Sequence, residues 1–300
     1  DWDKTGDDGR VRKYNTFFIA KDGVLHGGDN FPYPYRIKTL QPNYREFDDT
    51  RHFYSLRKLA MEMGKKVEEL LQPVKLTVAG QTLKLGCLLC EDGWSENYYL
   101  KPIDVYQQNG PVDLFINISS SPFTSGKNNK RNRVFSRQAL DTGVPLIYVN
   151  NVGIQNNGKT VYTYDGNSTV YNSRGQIIDY CPAFSPELKI LDLDLETGGR
   201  NREPVSVPGD SGIDVIYQAI TYGISKFMSS IGINKVIIGL SGGIDSAVTA
   251  CLYTLTLGPE NVLLVNMPSI FNSQTTRSLS ARLAENLGCL YTVMPIQDSV

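Results

Sequence analysis

The stretch VIIGLSGGIDSAVTA, residues 236–250, decides how the second half of the chain is read. Its apolar opening, 236–240, fits a buried strand, the small residues 241–243 fit a turn, and residues 247–257 fit a helix. A turn of that kind aims backbone N–H groups and the positive end of the helix dipole outward, a geometry that holds phosphate. Gly242 and Gly243 let an anion approach the backbone, Ser241 and Ser246 add hydroxyl donors, and Asp245 can hold Mg2+ between phosphate oxygens. A plain helix start with a flexible turn is the bland alternative. The stretch is not a Walker loop, since no Lys-Ser/Thr pair follows the glycines, and it lacks the third glycine of a dinucleotide fingerprint.

Outward from this loop, strand and helix patterns alternate. Residues 261–267 (NVLLVNM) read as the next strand, 276–287 as the next helix and 290–294 as the strand after, so the expected architecture is a doubly wound parallel sheet. On the N-terminal side a helix carrying Ile216, Ala219, Ile220, Tyr222, Ile224 and Met228 is expected, capped by Ser211 or Asp214. Before it, residues 196–212 (ETGGRNREPVSVPGDSG) are rich in Gly, Pro and charge and poor in apolar residues, the composition of a linker. This predicts a first domain over 1–195, a linker over 196–210 and a second domain over 211–300.

The first domain reads as strand-rich α/β. Strands are expected at 15–21, 23–26, 74–78, 83–90, 112–118, 145–150, 161–171 and 176–180, with helices at 53–71 and 130–142. Charge is balanced, 30 Lys and Arg against 31 Asp and Glu, so no global field draws nucleic acid or an anionic membrane. Apolar runs are too short for a bilayer span, and five cysteines, an odd number, argue for a reducing compartment, with the cytosol as the expected location. The chain opens at Asp1 in a polar run and closes at Val300 inside the alternating pattern, which reads as a window on a longer protein.

Cys90 stands where a buried strand ends and a polar segment (Glu91, Asp92, then Trp94) begins, a place where a thiol can be both positioned and reachable. Only two histidines occur, His26 and His52, and neither forms a recognisable Cys-His pattern with it. A carboxylate base with a lysine ammonium nearby can serve instead, and Lys38 is the candidate lysine. Composition alone favours the plain reading, a free cysteine as a small buried hydrophobe. Cys87 and Cys90 form a CxxC, but no second pair is spaced to complete a zinc site, and a redox dithiol would open a helix rather than lie along a strand.

Two resemblances sharpen this. The segment 241–246 (SGGIDS) resembles the loop of the N-type ATP pyrophosphatases, which adenylate a carboxylate or carbonyl oxygen before a nitrogen nucleophile displaces AMP. The segment 86–94 (GCLLCEDGW) is similar to the nucleophile segment of the nitrilase-type amidases, and Lys38 with Pro42, residues 44–47 (YREF) and Arg51 looks like their lysine segment. A nitrilase domain followed by an SGGxDS domain resembles the glutamine-dependent NAD+ synthetase family. That resemblance implies an αββα sandwich followed by a Rossmann-like, adenine nucleotide alpha hydrolase-like ATP-binding domain.

Residue by residue, it implies Cys90 as the nucleophile that takes the glutamine acyl group and Lys38 as the stabiliser of the tetrahedral intermediate. Tyr44 and Glu91 fall where the α-amino end of glutamine is held, and Ser121 and Lys127 where its backbone and carboxylate are contacted. Glu46 or Asp49 is the candidate second carboxylate near the lysine. The family's general-base Glu has no counterpart between residues 1 and 14. In the ligase domain Gly239, Ser241, Gly242, Gly243, Asp245 and Ser246 match the phosphate loop, and Met267 and Ser273 the segment on the adenine and α-phosphate side; Ile270 departs from a common Arg. ATP and Mg2+, with Asp245 as metal ligand, would serve adenylation of deamido-NAD+. Glutamine would supply ammonia, a homo-oligomer is implied, and no nucleic acid or membrane partner is. Two rivals stand beside this: a carbon–nitrogen hydrolase for another amide with an inert second domain, and an ammonia-only ligase carrying an amidase-like scaffold.

Overall fold

The apolar run that ends at Cys90 is the second strand of a six-stranded sheet in the computed structural model, which describes residues 2–5, 11–29, 31–44, 47–158, 160–271 and 273–297. The chain folds as two units, residues 1–152 with 164–210, and residues 153–163 with 211–300. Among the described residues no helix is long and apolar enough to cross a membrane.

The sheet of the first unit contains β1 (Val74–Val78), β2 (Gln81–Leu89), β3 (Leu114–Ser119), β4 (Leu146–Asn150), β5 (Thr169–Tyr171) and β6 (Ile177–Tyr180), in the order β6-β5-β4-β3-β2-β1. Strands β2, β3 and β4 run parallel, and the outer pairings are antiparallel. Ala79 and Gly80 both take positive φ (49° and 80°) in the two-residue turn of the β1–β2 hairpin, the twist that suits such a turn.

Period-two alternation decides the faces of this sheet. Leu88, Phe115, Leu146, Tyr148 and Tyr171 join the core shared with helices α1 (Leu56–Glu62), α2 (Pro102–Gln108) and α3 (Lys127–Thr142). Leu85, Cys87 and Leu89 point the other way and pack with Phe17 and Val74. On that second face lie short strands, Thr16–Phe17 paired with Arg36–Ile37 and Ile19–Lys21 paired with Val24–His26. The first of these ribbons delivers Lys38, the residue after Ile37.

The second unit has three parallel strands, β7 (Val236–Gly239), β8 (Val262–Asn266) and β9 (Leu290–Val293), in sequence order. They are interleaved with α5 (Ile244–Leu257) and α6 (Gln274–Leu287), while α4 (Ile213–Ser230) precedes β7. Leu240, Ala250, Val262, Leu264 and Ala284 form its core.

Several local expectations give way to backbone geometry. The helix expected over 53–71 is two pieces, α1 and a turn at Val67–Leu70, with Gly64 at φ 62° between them. The strand expected over 161–171 is broken by Gly166 and Asn167, both left-handed (φ 69° and 53°): Val161–Asp165 pairs with Val152–Asn156, and only Thr169–Tyr171 enters the large sheet. Neither Ser211 nor Asp214 caps α4; Gly212 holds the cap position, with no side-chain hydrogen bond. Helix α3 begins at Lys127, three residues earlier than the apolar pattern suggests.

Candidate active site

At the end of β2 the chain turns sharply, and Cys90 itself makes the turn at φ 47°, a left-handed conformation that is strained for a side chain of this size. A 3-10 segment, Cys90–Asn97, follows. Asn117 from β3 donates its amide to the Cys90 carbonyl (3.3 Å) and accepts from the Ser119 hydroxyl (2.6 Å), which pins the turn to the neighbouring strand. Gly93 is required for the same docking: a Cβ there would stand 2.4 Å from the Phe135 ring and 2.5 Å from the Asn117 amide nitrogen.

Asp92 joins this turn to the lysine segment. Its buried carboxylate accepts from the backbone N–H of Leu89 (3.1 Å), Thr39 (3.1 Å) and Leu40 (2.7 Å). Burial pushes that carboxyl up to about 7, while the N–H donors and the Lys38 charge pull it down. Lys38, 4% exposed, donates its ammonium to Asp49 Oδ2 at 2.5 Å. Asp49 is therefore the carboxylate beside the lysine; Glu46, the other candidate, lies outside the described residues.

Burial raises the Cys90 thiol above its ordinary value and Glu91 adds to the rise, against the positive charge of Lys38 and Lys127 and a hydrogen bond from Ser119. The thiol form therefore dominates near neutral pH. Alkylation of Cys90 by iodoacetamide is expected to keep accelerating with pH past 9, without a plateau between 6 and 8, as mass spectrometry of the labelled peptide against time at each pH would record. Lys38→Met removes the principal stabilising cation and should slow labelling at any fixed pH in that range. A rate that levels off below pH 7 would contradict the raised thiol.

A cleft of about 650 Å³ opens over this turn. Cys90, Glu91, Tyr44, Ser121 and Lys127, all singled out by sequence, line it together, with Lys38 buried and acting on the thiol through its charge. The Glu91 carboxylate accepts from Tyr44 (2.9 Å) on one oxygen and from Tyr98 (2.9 Å) on the other, and burial together with that carboxylate raises both phenols. Tyr98 was not legible in the sequence, since nothing in its spacing distinguishes it from a surface aromatic. Also lining the cleft, Lys127 donates to the Pro122 carbonyl (3.0 Å), and the Ser121 backbone is held both ways by the Asn150 amide (2.9 and 3.2 Å). The cleft thus brings a carboxylate, an ammonium and a thiol together among its lining residues, and both charges act on the thiol.

In the second unit the loop after β7 is laced by its own hydroxyls. Ser241 and Ser246 approach oxygen to oxygen at 3.0 Å, Gly243 N–H donates to Ser241 Oγ (3.3 Å), and Ser246 Oγ donates to the Gly243 carbonyl (3.0 Å). Gly242 takes φ 89°, and a Cβ there would lie 2.2 Å from the backbone oxygen of Thr276. Asp245 stands in the first turn of α5, and the position of a Cβ on Gly239 would lie 3.1 Å from the Met267 methyl. Ser273 caps α6 by accepting from Thr276 N–H (3.2 Å). Asn266, at the end of β8, was missed by sequence reading; buried, it donates to the Leu240 carbonyl (2.7 Å) and Ser280 Oγ (3.1 Å) and supports the loop from beneath. Among the described residues no group of three or more His, Cys, Asp and Glu side chains could hold a metal ion.

Comparison with known proteins follows the same division. Residues 17–203 match the carbon–nitrogen hydrolase family model and residues 216–300 the NAD synthase model. The glutamine-dependent NAD(+) synthetase of Synechocystis sp. is 34% identical over 267 residues, 86% of this chain and 44% of that protein. That of Thermotoga maritima is 31% identical over 316 residues, 95% of this chain and 50% of that protein. The chain spans about half the length of the curated relatives it matches. Among solved structures, a glutamine-dependent NAD+ synthetase from Acinetobacter baumannii in complex with adenosine diphosphate superposes with a TM-score of 0.77 at 30% identity, covering 99% of this chain and 50% of that one. A glutamine-dependent NAD(+) synthetase from Cytophaga hutchinsonii, at 14% identity, covers 95% of this chain and 50% of that one and has the same fold with a TM-score of 0.64.

Proposed function

The chain belongs to the carbon–nitrogen hydrolase family, and from that premise we propose that it is the amidase unit and the opening of the ligase unit of a glutamine-dependent NAD+ synthetase. In this reading residues 1–195 hydrolyse glutamine, 196–210 connect, and 211–300 begin the ATP-using unit. What supports the reading is the cleft that Cys90 shares with Glu91, Tyr44, Ser121 and Lys127. Such a cleft offers a zwitterionic amino acid a carboxylate for its ammonium in Glu91 and an ammonium for its carboxylate in Lys127, and this pairing would bring the side-chain amide to the thiol.

The Cys90 sulfur attacks the side-chain amide carbon of glutamine, and the C–N bond breaks to leave a thioester; over the step the thiol proton ends on the departing nitrogen, which leaves as ammonia. Lys38 opposes the charge that builds on the amide oxygen. Water then cleaves the thioester to glutamate and restores the thiol. In the second unit the nicotinate carboxylate of deamido-NAD+ displaces pyrophosphate from ATP, and ammonia displaces AMP from that adenylate to give NAD+. Ser241, Gly242, Gly243 and Ser246 would take the phosphates, with Gly239 leaving room at the strand end and Met267 and Ser273 on the adenine and α-phosphate side. A lone carboxylate such as Asp245 suits Mg2+, which is commonly held by one or two carboxylates plus substrate phosphates and would neutralise the charge of the leaving pyrophosphate. A homo-oligomer in the cytosol completes the proposal.

The test is NAD+ formation by the full-length protein from deamido-NAD+ and ATP, with glutamine or ammonium as donor. Synthesis with either donor is expected. If neither donor yields NAD+ while an amide is still hydrolysed, the proposal falls and the hydrolase reading replaces it.

A further inference from the structure

Helix α3 begins without a cap of its own. Gly126 precedes it at φ 76°, and its first turn, Lys127, Asn128 and Asn129, contains no acidic residue to meet the positive helix end. The cap comes from a residue more than eighty positions later. Asp210, 5% exposed, accepts with one carboxylate oxygen from Asn128 N–H and with the other from Asn129 N–H (3.1 Å), and its backbone carbonyl accepts from Gly126 N–H (3.1 Å). One side chain and one carbonyl therefore hold residues 126–129. The same short stretch of chain, from Ser121 to Lys127, is a wall of the cleft above Cys90, closed on itself by the bond from Lys127 to Pro122.

Composition places Asp210 in a Gly- and Pro-rich connecting segment, where a solvated carboxylate is the ordinary expectation. Its burial against the α3 terminus is a different outcome, and it puts the last residue of the first unit in charge of where the cleft wall stands. We infer that Asp210 is a positioning residue for the glutamine cleft, acting through the α3 terminus on Lys127 and the wall 121–127; the choice of glutamine as ligand rests on the function proposed above. The connecting segment is in this view part of the amidase site's support rather than a passive tether. A wall that moves loosens the grip of Ser121 and Lys127 on the ground state and the transition state alike, a loss of uniform binding that raises KM and leaves kcat nearly unchanged.

The experiment compares the full-length wild type with Asp210→Ala and the milder Asp210→Asn, which keeps one acceptor oxygen. In Asp210→Ala the KM for glutamine is expected to rise about tenfold with kcat changed by less than about threefold, and Asp210→Asn to fall between it and wild type. Hydrogen exchange followed by mass spectrometry should show amides 121–129 exchanging about tenfold faster, with β3 unchanged. Faster exchange with an unchanged KM would reduce Asp210 to a purely structural cap and overturn the inference, as would unchanged exchange at 121–129. Should Asp210→Ala fail to fold, Asp210→Asn carries the same two readouts. If the wild type hydrolyses no glutamine, the proposed function fails on its own account. The positioning role is then decided by exchange at 121–129 together with the rate of Cys90 alkylation, and a wild-type rate of both in the variants would overturn it.

Discussion

Cys90→Ala in the full-length protein is expected to lower glutamine-driven NAD+ synthesis by about a thousandfold or more while ammonium-driven synthesis stays within about twofold. The size follows from chemistry: without sulfur there is no thioester, and alanine offers no other nucleophile at the strand end. The selectivity follows from placement, since the residues lining the thiol cleft lie in the first unit and the hydroxyl-laced loop lies in the second. Asn117 and Gly93 hold the turn through the Cys90 carbonyl and the backbone, so the variant should melt within a few degrees of wild type. Equal loss with both donors would mean that Cys90 supports the fold rather than the reaction. Unchanged glutamine-driven synthesis would remove it from the mechanism altogether.

The complementary result is expected from Gly242→Ala. Alanine at φ 89° is strained by about 1 kcal/mol or more, and its Cβ would stand 2.2 Å from the Thr276 carbonyl oxygen, a backbone atom at the start of α6 that cannot swing aside. Either the loop or the α6 terminus must move. Synthesis with both donors should fall by about a hundredfold or more while glutamine hydrolysis continues, the reverse of the Cys90 pattern. Gly243→Ala is the internal control for folding: its φ is −84° and its Cβ would meet only Ser241 Oγ at 3.4 Å, so its cost should stay below about 1 kcal/mol in a denaturant titration. Equal destabilisation by the two substitutions would show that the close approach at Thr276 does not constrain the loop.

Local pattern carried much of the site. The strand–turn–helix at 236–250 was legible because periodicity changes abruptly across a few small residues, and Cys90 because an apolar run stops beside two acids. Both signals are short-range. Asp92, Asn117, Tyr98 and Asp210 were not legible as supports, because each owes its role to partners brought near by the fold: Asp92 to Thr39 and Leu40, Asn117 to Cys90, Asp210 to Asn128. No periodicity encodes a hydrogen bond across eighty residues. The broken elements have a related cause. At Gly64, and at Gly166 with Asn167, a left-handed backbone interrupts runs whose apolar spacing continues across the break.

The left-handed turn at Cys90 also bears on how such a chain would change over generations. Glycine would adopt φ 47° without steric penalty, whereas cysteine holds it at a cost of about 1 kcal/mol or more. Activity and stability therefore pull in opposite directions at this one position, and the side chain that persists there reveals which of them selection has favoured. A lineage that stopped using the amidase reaction would be free to relax to glycine at 90 and shed that strain. Descendants with glycine at that turn and every other cleft residue intact would be the expected relics of that loss.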